Sequence, residues 1–280
     1  MRVNFHTHSN KSDGKLSPSE LINKLAKCNI EVLALTDHDS VKGIEEAKAK
    51  ADLHGIKFIT GIELSTKIHG LELDFLDENR HTIHLLGLHF DYEMLNKILI
   101  DKEELKKLNI KNLVTQLIEV GYNIEPLDYG SKKTLVAEAL IKKGYAINIQ
   151  NAFNNIINNF YPRSVDLVTV DEVVRMIHKA NGKVIWAHPY EIIYDVYKHG
   201  ITESQIDKIC AKLKLHHVDG IEVYYAKYNK SQIEFLESLK RKYSFITSAG
   251  TDFHNKTDYE QAFIDTDIEL IKEVLSCEYL

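Results

Sequence analysis

The chain has 280 residues, of which 44% are hydrophobic and 27% charged, as in globular proteins long enough to bury a large core. The formal net charge of −6 disfavours a broad basic surface for duplex DNA, although a local basic pocket stays possible. No apolar segment is long enough to cross a bilayer, and residues 1–9 do not resemble a signal peptide. Three widely spaced cysteines favour reduced thiols in a cytoplasmic protein: Cys28, Cys210 and Cys277.

Seven short segments rich in branched and aromatic residues predict β-strands. They are Val3–His8, Val32–His38, Phe58–Thr66, Thr82–Phe90, Val184–His188, Gly220–Tyr225 and Phe245–Thr251. Ser17-Pro18-Ser19-Glu20 predicts the start of the first helix, because serine caps helices and proline favours their first turn. Further helices are predicted near residues 40–54, 170–181, 203–215, 229–242 and 266–276.

Strands that alternate with helices are typical of an α/β fold with parallel pairing and helices outside the sheet. Seven such units favour a closed or nearly closed, TIM-like (β/α)7 barrel over an open sheet, although periodicity alone does not separate the two. Residues 1–91 and 166–280 are predicted to form this barrel. Residues 92–165 are predicted to form a mainly helical insertion or cap, since so long a structureless loop is improbable.

Residues of the types that bind metals recur near the ends of the predicted strands. His6 and His8 are two residues apart, so both imidazoles face the same side of a strand. Barrel enzymes assemble their active sites at the carboxyl ends of several strands, so these side chains are expected to meet at one rim. The remaining candidates are Asp13, His38, Glu63, His84, His188, Asp252 and His254.

Each of these motifs alone has an ordinary structural explanation, such as a turn or a strand end that faces solvent. Taken together they predict a metal centre, because a barrel would not collect so many ionisable groups without cations to neutralise them. Nitrogen and oxygen ligands suit Zn, Mn or Fe, and the absence of thiolates argues against a structural cysteine–zinc site.

His84 is preferred over His81 and His89, because it alternates with the packing residues Ile83 and Leu85. The other six histidines are expected in solvated helical or loop positions: His54, His69, His178, His199, His216 and His217.

The motifs together resemble the polymerase and histidinol phosphatase (PHP) family. They occur in the family's order and span nearly the whole chain: His-Thr-His-Ser with Ser-Asp-Gly-Lys-Leu-Ser-Pro, Leu-Thr-Asp-His-Asp-Ser, Gly-Ile-Glu-Leu-Ser, Ile-His-Leu-Leu-Gly, Ala-His-Pro and Gly-Thr-Asp-Phe-His. The resemblance implies a distorted barrel of seven β/α units and a metal-dependent phosphoesterase. Within the family, Ser-Asp-Gly and the insertion resemble the branch that acts on nucleoside 3′,5′-bisphosphates and short RNA ends.

Carried over to this chain, the resemblance implies three divalent metal ions. His6, His8, Glu63 and Asp252 would hold the first. Glu63, His84 and His188 would hold the second, with Glu63 bridging, and Asp13, His38 and His254 would hold the third. Glu63 would support catalysis as the bridging ligand. The third metal, or an acid such as His188 or His254 if unligated, would help the leaving group depart.

The substrate contacts are less closely defined by the resemblance. Relatives in that branch commonly place an arginine shortly after Ala-His-Pro, whereas this chain continues with Tyr190 and Glu191, and Glu191 is expected to repel an anion. The candidate substrate-binding residues are Tyr190, Arg163, Lys132 and Lys133. Three alternatives to this function stay open. They are a histidinol-phosphate phosphatase, a hydrolase of amide or lactone bonds on the same centre, and a metal-stabilised binding module.

Overall fold

The computed structural model describes residues 1–76, 81–125, 129–130, 132–161, 167–191, 201–255, 257 and 261–275. The strands are β1 (Arg2–Asn4), β2 (Val32–Leu35), β3 (Lys57–Lys67), β4 (Thr82–Leu88), β5 (Val168–Thr169), β6 (Lys183–Trp186), β7 (Gly220–Tyr225), β8 (Ile246–Gly250) and β9 (Ile264–Asp265). The helices are α1 (Pro18–Ala26), α2 (Ile44–His54), α3 (Tyr92–Glu119), α4 (Lys133–Lys142), α5 (Ile149–Ala152), α6 (Asn158–Phe160), α7 (Val170–Lys179), α8 (Glu203–Leu215), α9 (Lys230–Tyr243) and α10 (Ile268–Leu275), with a π-helical turn (Phe153–Ile157) between α5 and α6.

The strands form one nearly closed sheet in the order β8-β7-β6-β4-β3-β2-β1-β9, with β5 beside β3. The two ends of the barrel wall meet where the Phe5 N–H donates to the Ala249 carbonyl at 2.8 Å and the His8 N–H donates to the Phe253 carbonyl at 2.8 Å. The predicted α/β barrel is therefore confirmed. It has two more strands than predicted, because β5 and β9 have two residues each and are too short to give an alternating pattern.

The prediction of parallel pairing is wrong for β4, which runs antiparallel to both β3 and β6, and the additional strand β9 runs antiparallel to β1. Parallel neighbours need a crossover connection, usually a helix, whereas antiparallel neighbours do not. No helix is described between β3 and β4, in residues 68–76 and 81. Reversal brings the first residues of β4, including His84, to the rim where the neighbouring parallel strands end.

Apolar side chains from six strands fill the barrel below this rim, and all of them are fully or almost fully buried. Each buried side chain of this size contributes about 1.5–3 kcal/mol relative to an exposed one. Ile59 of β3 and Leu86 of β4 belong to this cluster. Because alternate residues of a strand share a face, Glu63 and His84 lie on the same face as these packing residues. The strand pattern thus directs both polar side chains inward.

Helix α1 fixes the loop that follows β1. The Ser17 hydroxyl accepts from the Glu20 N–H at 3.3 Å, and the Glu20 carboxylate accepts from the Ser17 N–H at 2.8 Å. This reciprocal cap, worth about 1 kcal/mol, confirms the predicted helix start.

The chain divides into two compact units, one of residues 1–95 with 168–280 and one of residues 96–167. The second unit has its own core, which includes Leu113, Leu117, Val136 and Leu140. Within the described residues, no helix is long and apolar enough to cross a membrane.

Candidate metal centre

Glu63 lies at the centre of the polar rim and is fully buried. Its carboxylate oxygens lie 2.9–3.2 Å from nitrogens of five imidazoles, those of His6, His8, His38, His84 and His188. These histidines come from β1, β2, β4 and β6 or from the residues that directly follow them. The strands therefore bring five imidazoles around one carboxylate.

The deeper part of the site, here called the inner group, consists of His6, His8, Glu63 and Asp252. The Asp252 carboxylate Oδ1 lies 3.0 Å from His8 Nε2 and 3.4 Å from His6 Nε2. Asp252 follows β8 and has a φ of 55°, a left-handed conformation that is uncommon outside glycine and turns the chain back toward β1.

The other part, here called the outer group, consists of His8, Asp13, His38 and His254. His254 Nε2 lies 3.1 Å from Asp13 Oδ1, and His254 Nδ1 donates to the Asp252 carbonyl at 2.8 Å. Because the carbonyl can only accept, the proton lies on Nδ1 and Nε2 is left to face the site. The Asp13 side chain is 49% exposed, so this group opens to solvent.

A third arrangement of closely spaced ligand atoms joins His38, Glu63 and His84. The resemblance implied His188 in place of His38 for the second metal. His188 lies beside the same carboxylate, with its Nε2 3.1 Å from Glu63 Oε1. His8, which the resemblance placed only at the first metal, also borders the outer group. The division of ligands among individual ions therefore stays a prediction.

The inner group is electrostatically coupled. Burial alone would raise the pKa of Glu63, but His6, His188 and His8 outweigh it and hold this pKa well below its usual value. Burial lowers the pKa of His8, yet contacts with Asp252 and Glu63 raise it to about 9. For His38, burial prevails over the Glu63 charge and lowers the pKa to about 4. The Glu63 carboxylate is thus ionised at neutral pH.

The donor atoms fit divalent cations. Several are buried and have no hydrogen-bond partner within the described part of the chain: His6 Nε2, both ring nitrogens of His8, His38 Nδ1, His84 Nδ1 and Glu63 Oε2. Leaving such atoms unsatisfied costs about 1–3 kcal/mol each, and a cation among them would remove that cost. Imidazole and carboxylate donors suit Zn, Mn or Fe, and the identity of the ions stays a prediction.

Sequence reasoning missed two buried carboxylates that support the site. Asp37 accepts from the Ser9 N–H at 2.7 Å, from the Ser9 hydroxyl at 2.6 Å and from the Ser12 hydroxyl at 2.7 Å, and so ties down the loop that carries Asp13. Glu222 of β7 contacts His6 Nδ1 at 3.2 Å. A charged residue inside an otherwise apolar strand, Gly-Ile-Glu-Val-Tyr-Tyr, was the signal that could have identified Glu222.

The predicted repulsion by Glu191 is moderated by a neighbour that the sequence did not suggest. Lys227 Nζ lies 3.0 Å from Glu191 Oε1, and the Tyr225 hydroxyl lies 3.2 Å from Glu191 Oε2. Glu191 also lines a small cavity with His84 and His188. Its charge is therefore compensated by a lysine beside the site.

The predicted substrate-binding residues have different environments. The Tyr190 hydroxyl donates to Glu203 Oε1 at 3.2 Å, and its ring packs edge-on against Tyr228. Lys132 and Lys133 lie in the second unit, where Lys133 Nζ is 4.5 Å from the centroid of the Tyr161 ring. Arg163 lies outside the described residues. His81 and His89 lie outside the centre and are half-buried.

Comparison with known proteins places these motifs in a family. The chain is 28% identical over 266 residues to a 5′-3′ exoribonuclease of Haemophilus influenzae, covering 90% of each. It is 24% identical over 273 residues to a 3′,5′-nucleoside bisphosphate phosphatase of Chromobacterium violaceum, covering 90% of this chain and 87% of that protein. A sulfate-bound structure of an amidohydrolase from C. violaceum has the same fold, with a TM-score of 0.64, 24% identity and coverage of 99% and 97%.

The model of the PHP domain family matches residues 4–197. This range includes seven of the nine candidate ligands, from His6 to His188. The chain therefore belongs to the PHP domain family.

Proposed function

We propose that the protein is a metal-dependent phosphoesterase that hydrolyses nucleoside 3′,5′-bisphosphates or the phosphorylated ends of short RNA. The observation that carries this proposal is the buried Glu63 carboxylate, which lies within 3.2 Å of five imidazoles. The exoribonuclease and the bisphosphate phosphatase that the chain resembles along most of its length support the substrate class. Three ions of Mn, Zn or Fe are proposed as cofactors.

Glu63 would hold cations through both oxygens, since its two oxygens face different imidazoles. Bound divalent ions lower the pKa of water toward neutrality and neutralise charge on phosphoryl oxygens. The residues of the inner group keep the donor atoms fixed and exclude bulk water from them, because three of the four are completely buried. The hydrogen bond from His254 Nδ1 holds that ring with its Nε2 toward the outer group.

His188, or His254 when its ring carries protons on both nitrogens, would donate a proton from Nε2 to the leaving oxygen wherever that nitrogen does not bind a cation. Lys227 is proposed to offset the Glu191 charge near an anionic substrate. Four residues stay predicted substrate contacts: Tyr190, Lys132, Lys133 and Arg163. The role of residues 92–165 as a cap also stays a prediction. We expect the activity in the cytoplasm.

The test is phosphate release from a substrate panel by metal-free protein supplied with Mn²⁺, Zn²⁺ or Fe²⁺. The panel contains a nucleoside 3′,5′-bisphosphate, a 5′-phosphorylated short RNA, histidinol phosphate and an amide. We expect metal-dependent turnover of the first two. Preference for histidinol phosphate or for the amide would replace the proposed substrate class, and no metal-dependent turnover of any of the four would contradict a phosphoesterase.

A further inference from the structure

We propose that Glu222 is a positioning residue that holds two candidate metal ligands at once, His6 through its side chain and His188 through its backbone. The inference rests on the proposed function, since this positioning matters only if the site binds cations.

The first contact fixes the His6 ring. His6 Nδ1 lies 3.2 Å from Glu222 Oε1 and 3.3 Å from Oε2, whereas His6 Nε2, on the other side of the ring, faces Glu63 and Asp252. A carboxylate oxygen that accepts a hydrogen bond from Nδ1 favours the tautomer with the proton on that nitrogen. That tautomer leaves the Nε2 lone pair available for a cation.

The second contact fixes the backbone at His188. The His188 N–H donates to Glu222 Oε2 at 2.8 Å. His188 has a φ of 31°, in the left-handed region that is costly for any residue other than glycine. This conformation interrupts the alternation of β6 and the residue after it, in which Ile185 and Ala187 belong to the apolar core. The hydrogen bond therefore helps hold a strained turn that brings the imidazole to Glu63.

The space for the Glu222 carboxylate depends on a glycine in the neighbouring strand. A Cβ on Gly250 would lie 2.6 Å from Glu222 Oε1 and 2.4 Å from His6 Cβ, both closer than real contacts allow. Any larger residue there would separate the two groups. Gly250 thus permits the close approach of β7 to the segment that follows β1.

Burial excludes a role for Glu222 as a solvated charge. The residue is completely buried, and in the described part of the chain no lysine or arginine forms an ion pair with it. Glu222 also belongs to none of the three groups of closely spaced ligand atoms found among the described residues. Its two oxygens are instead occupied by the side chain and the backbone of neighbouring ligands. This is the arrangement of an orienting carboxylate behind a metal-bound histidine.

The test compares Glu222→Gln with Glu237→Gln. Glu237 is a matched control, because its carboxylate also accepts from a residue of β7, the Tyr224 hydroxyl at 2.6 Å, but belongs to none of the three ligand groups. Mn²⁺ binding to metal-free protein is measured by electron paramagnetic resonance of the unbound ion, and folding by circular dichroism. We expect Glu222→Gln to weaken the tightest Mn²⁺ binding roughly 10–100-fold, and Glu237→Gln to leave it unchanged. Glu222→Asp, which keeps the charge, should fall between wild type and Glu222→Gln.

Unchanged Mn²⁺ affinity in a folded Glu222→Gln protein would overturn the inference while leaving the proposed function standing. Wild-type protein that binds no Mn²⁺ would overturn both. If the Glu222→Gln variant does not fold, the protonated ring nitrogen of His6 is identified instead. It is read from the ¹⁵N spectrum of wild-type protein that has labelled histidines and is loaded with Zn²⁺. A proton on His6 Nδ1 supports the inference, and a proton on Nε2 contradicts it.

Discussion

The inner and outer groups share His8 but differ in how firmly the fold holds them. In the inner group, His6, His8 and Glu63 are completely buried and sit on or directly after strands of the barrel. In the outer group, Asp13 is half exposed and lies on a loop that Asp37 fastens through Ser9 and Ser12. Ligands on strands have little freedom to move, whereas a loop can adjust to the ion and to the substrate.

We propose from this difference that the two groups have separate tasks. Charges in the buried group interact strongly because water is excluded, so the group is suited to hold ions permanently. The exposed edge of the outer group is suited to meet the phosphate. The predictions below test that division.

The largest effect is expected for Glu63→Gln. The substitution places an uncharged amide, which attracts cations only weakly, among the five imidazoles. Turnover should therefore be abolished and most bound metal lost. Elemental analysis and phosphate release on the same sample measure both, with Glu237→Gln as the control. A folded variant that kept its metal and its activity would disprove the central role of Glu63.

Asp252→Asn and Asp13→Asn compare the two groups directly. Asp252 lies 3.0 Å from His8 within the buried group, and Asp13 lies 3.1 Å from His254 at the exposed edge. We expect the Asp252 variant to lose more metal, and the Asp13 variant to bind one ion roughly tenfold more weakly while keeping the others. Equilibrium dialysis followed by metal analysis measures the difference. Equal losses would show that the groups are not separable.

Gly250→Ala is expected to destabilise the metal-free protein by about 1–3 kcal/mol, because the added methyl group would overlap His6 and Glu222. Ser248→Ala in the same strand is the control, since the buried Ser248 hydroxyl has no hydrogen-bond partner within the described residues. Chemical denaturation of both variants gives the free energies of unfolding. A Gly250→Ala protein as stable as the control would mean that the barrel relaxes around the site.

The smallest effect is a pH dependence of metal binding. The pKa of His8 is raised to about 9, so at pH 7 its ring carries a second proton and is positively charged when no metal is bound. A cation must displace that proton, and affinity should therefore rise as the pH increases from 6.5 and level off above about 9. Proton release on titration with Zn²⁺, followed with a pH indicator, measures this linkage. Affinity that fell over this pH range would contradict the assignment of His8 as a ligand.

The sequence by itself determined the alternation of strands and helices and the candidate ligands expected near the strand ends. Residues such as His6 and His8 were identified because their two-residue spacing places them on one face of a strand, and Glu63 because it lies near the end of a predicted strand. The capping residues Ser17 and Glu20 marked the start of α1 correctly, since a cap depends only on near neighbours.

The tertiary structure decided what depends on contacts between distant segments. Three such features leave no periodic pattern in the sequence. They are the reversed direction of β4, the contact of Glu222 with His6 across 216 residues, and the pairing of Glu191 with Lys227. Local patterns report the secondary structure and the buried face of each segment. Strand direction and the partners of a buried charge follow from how those segments pack together.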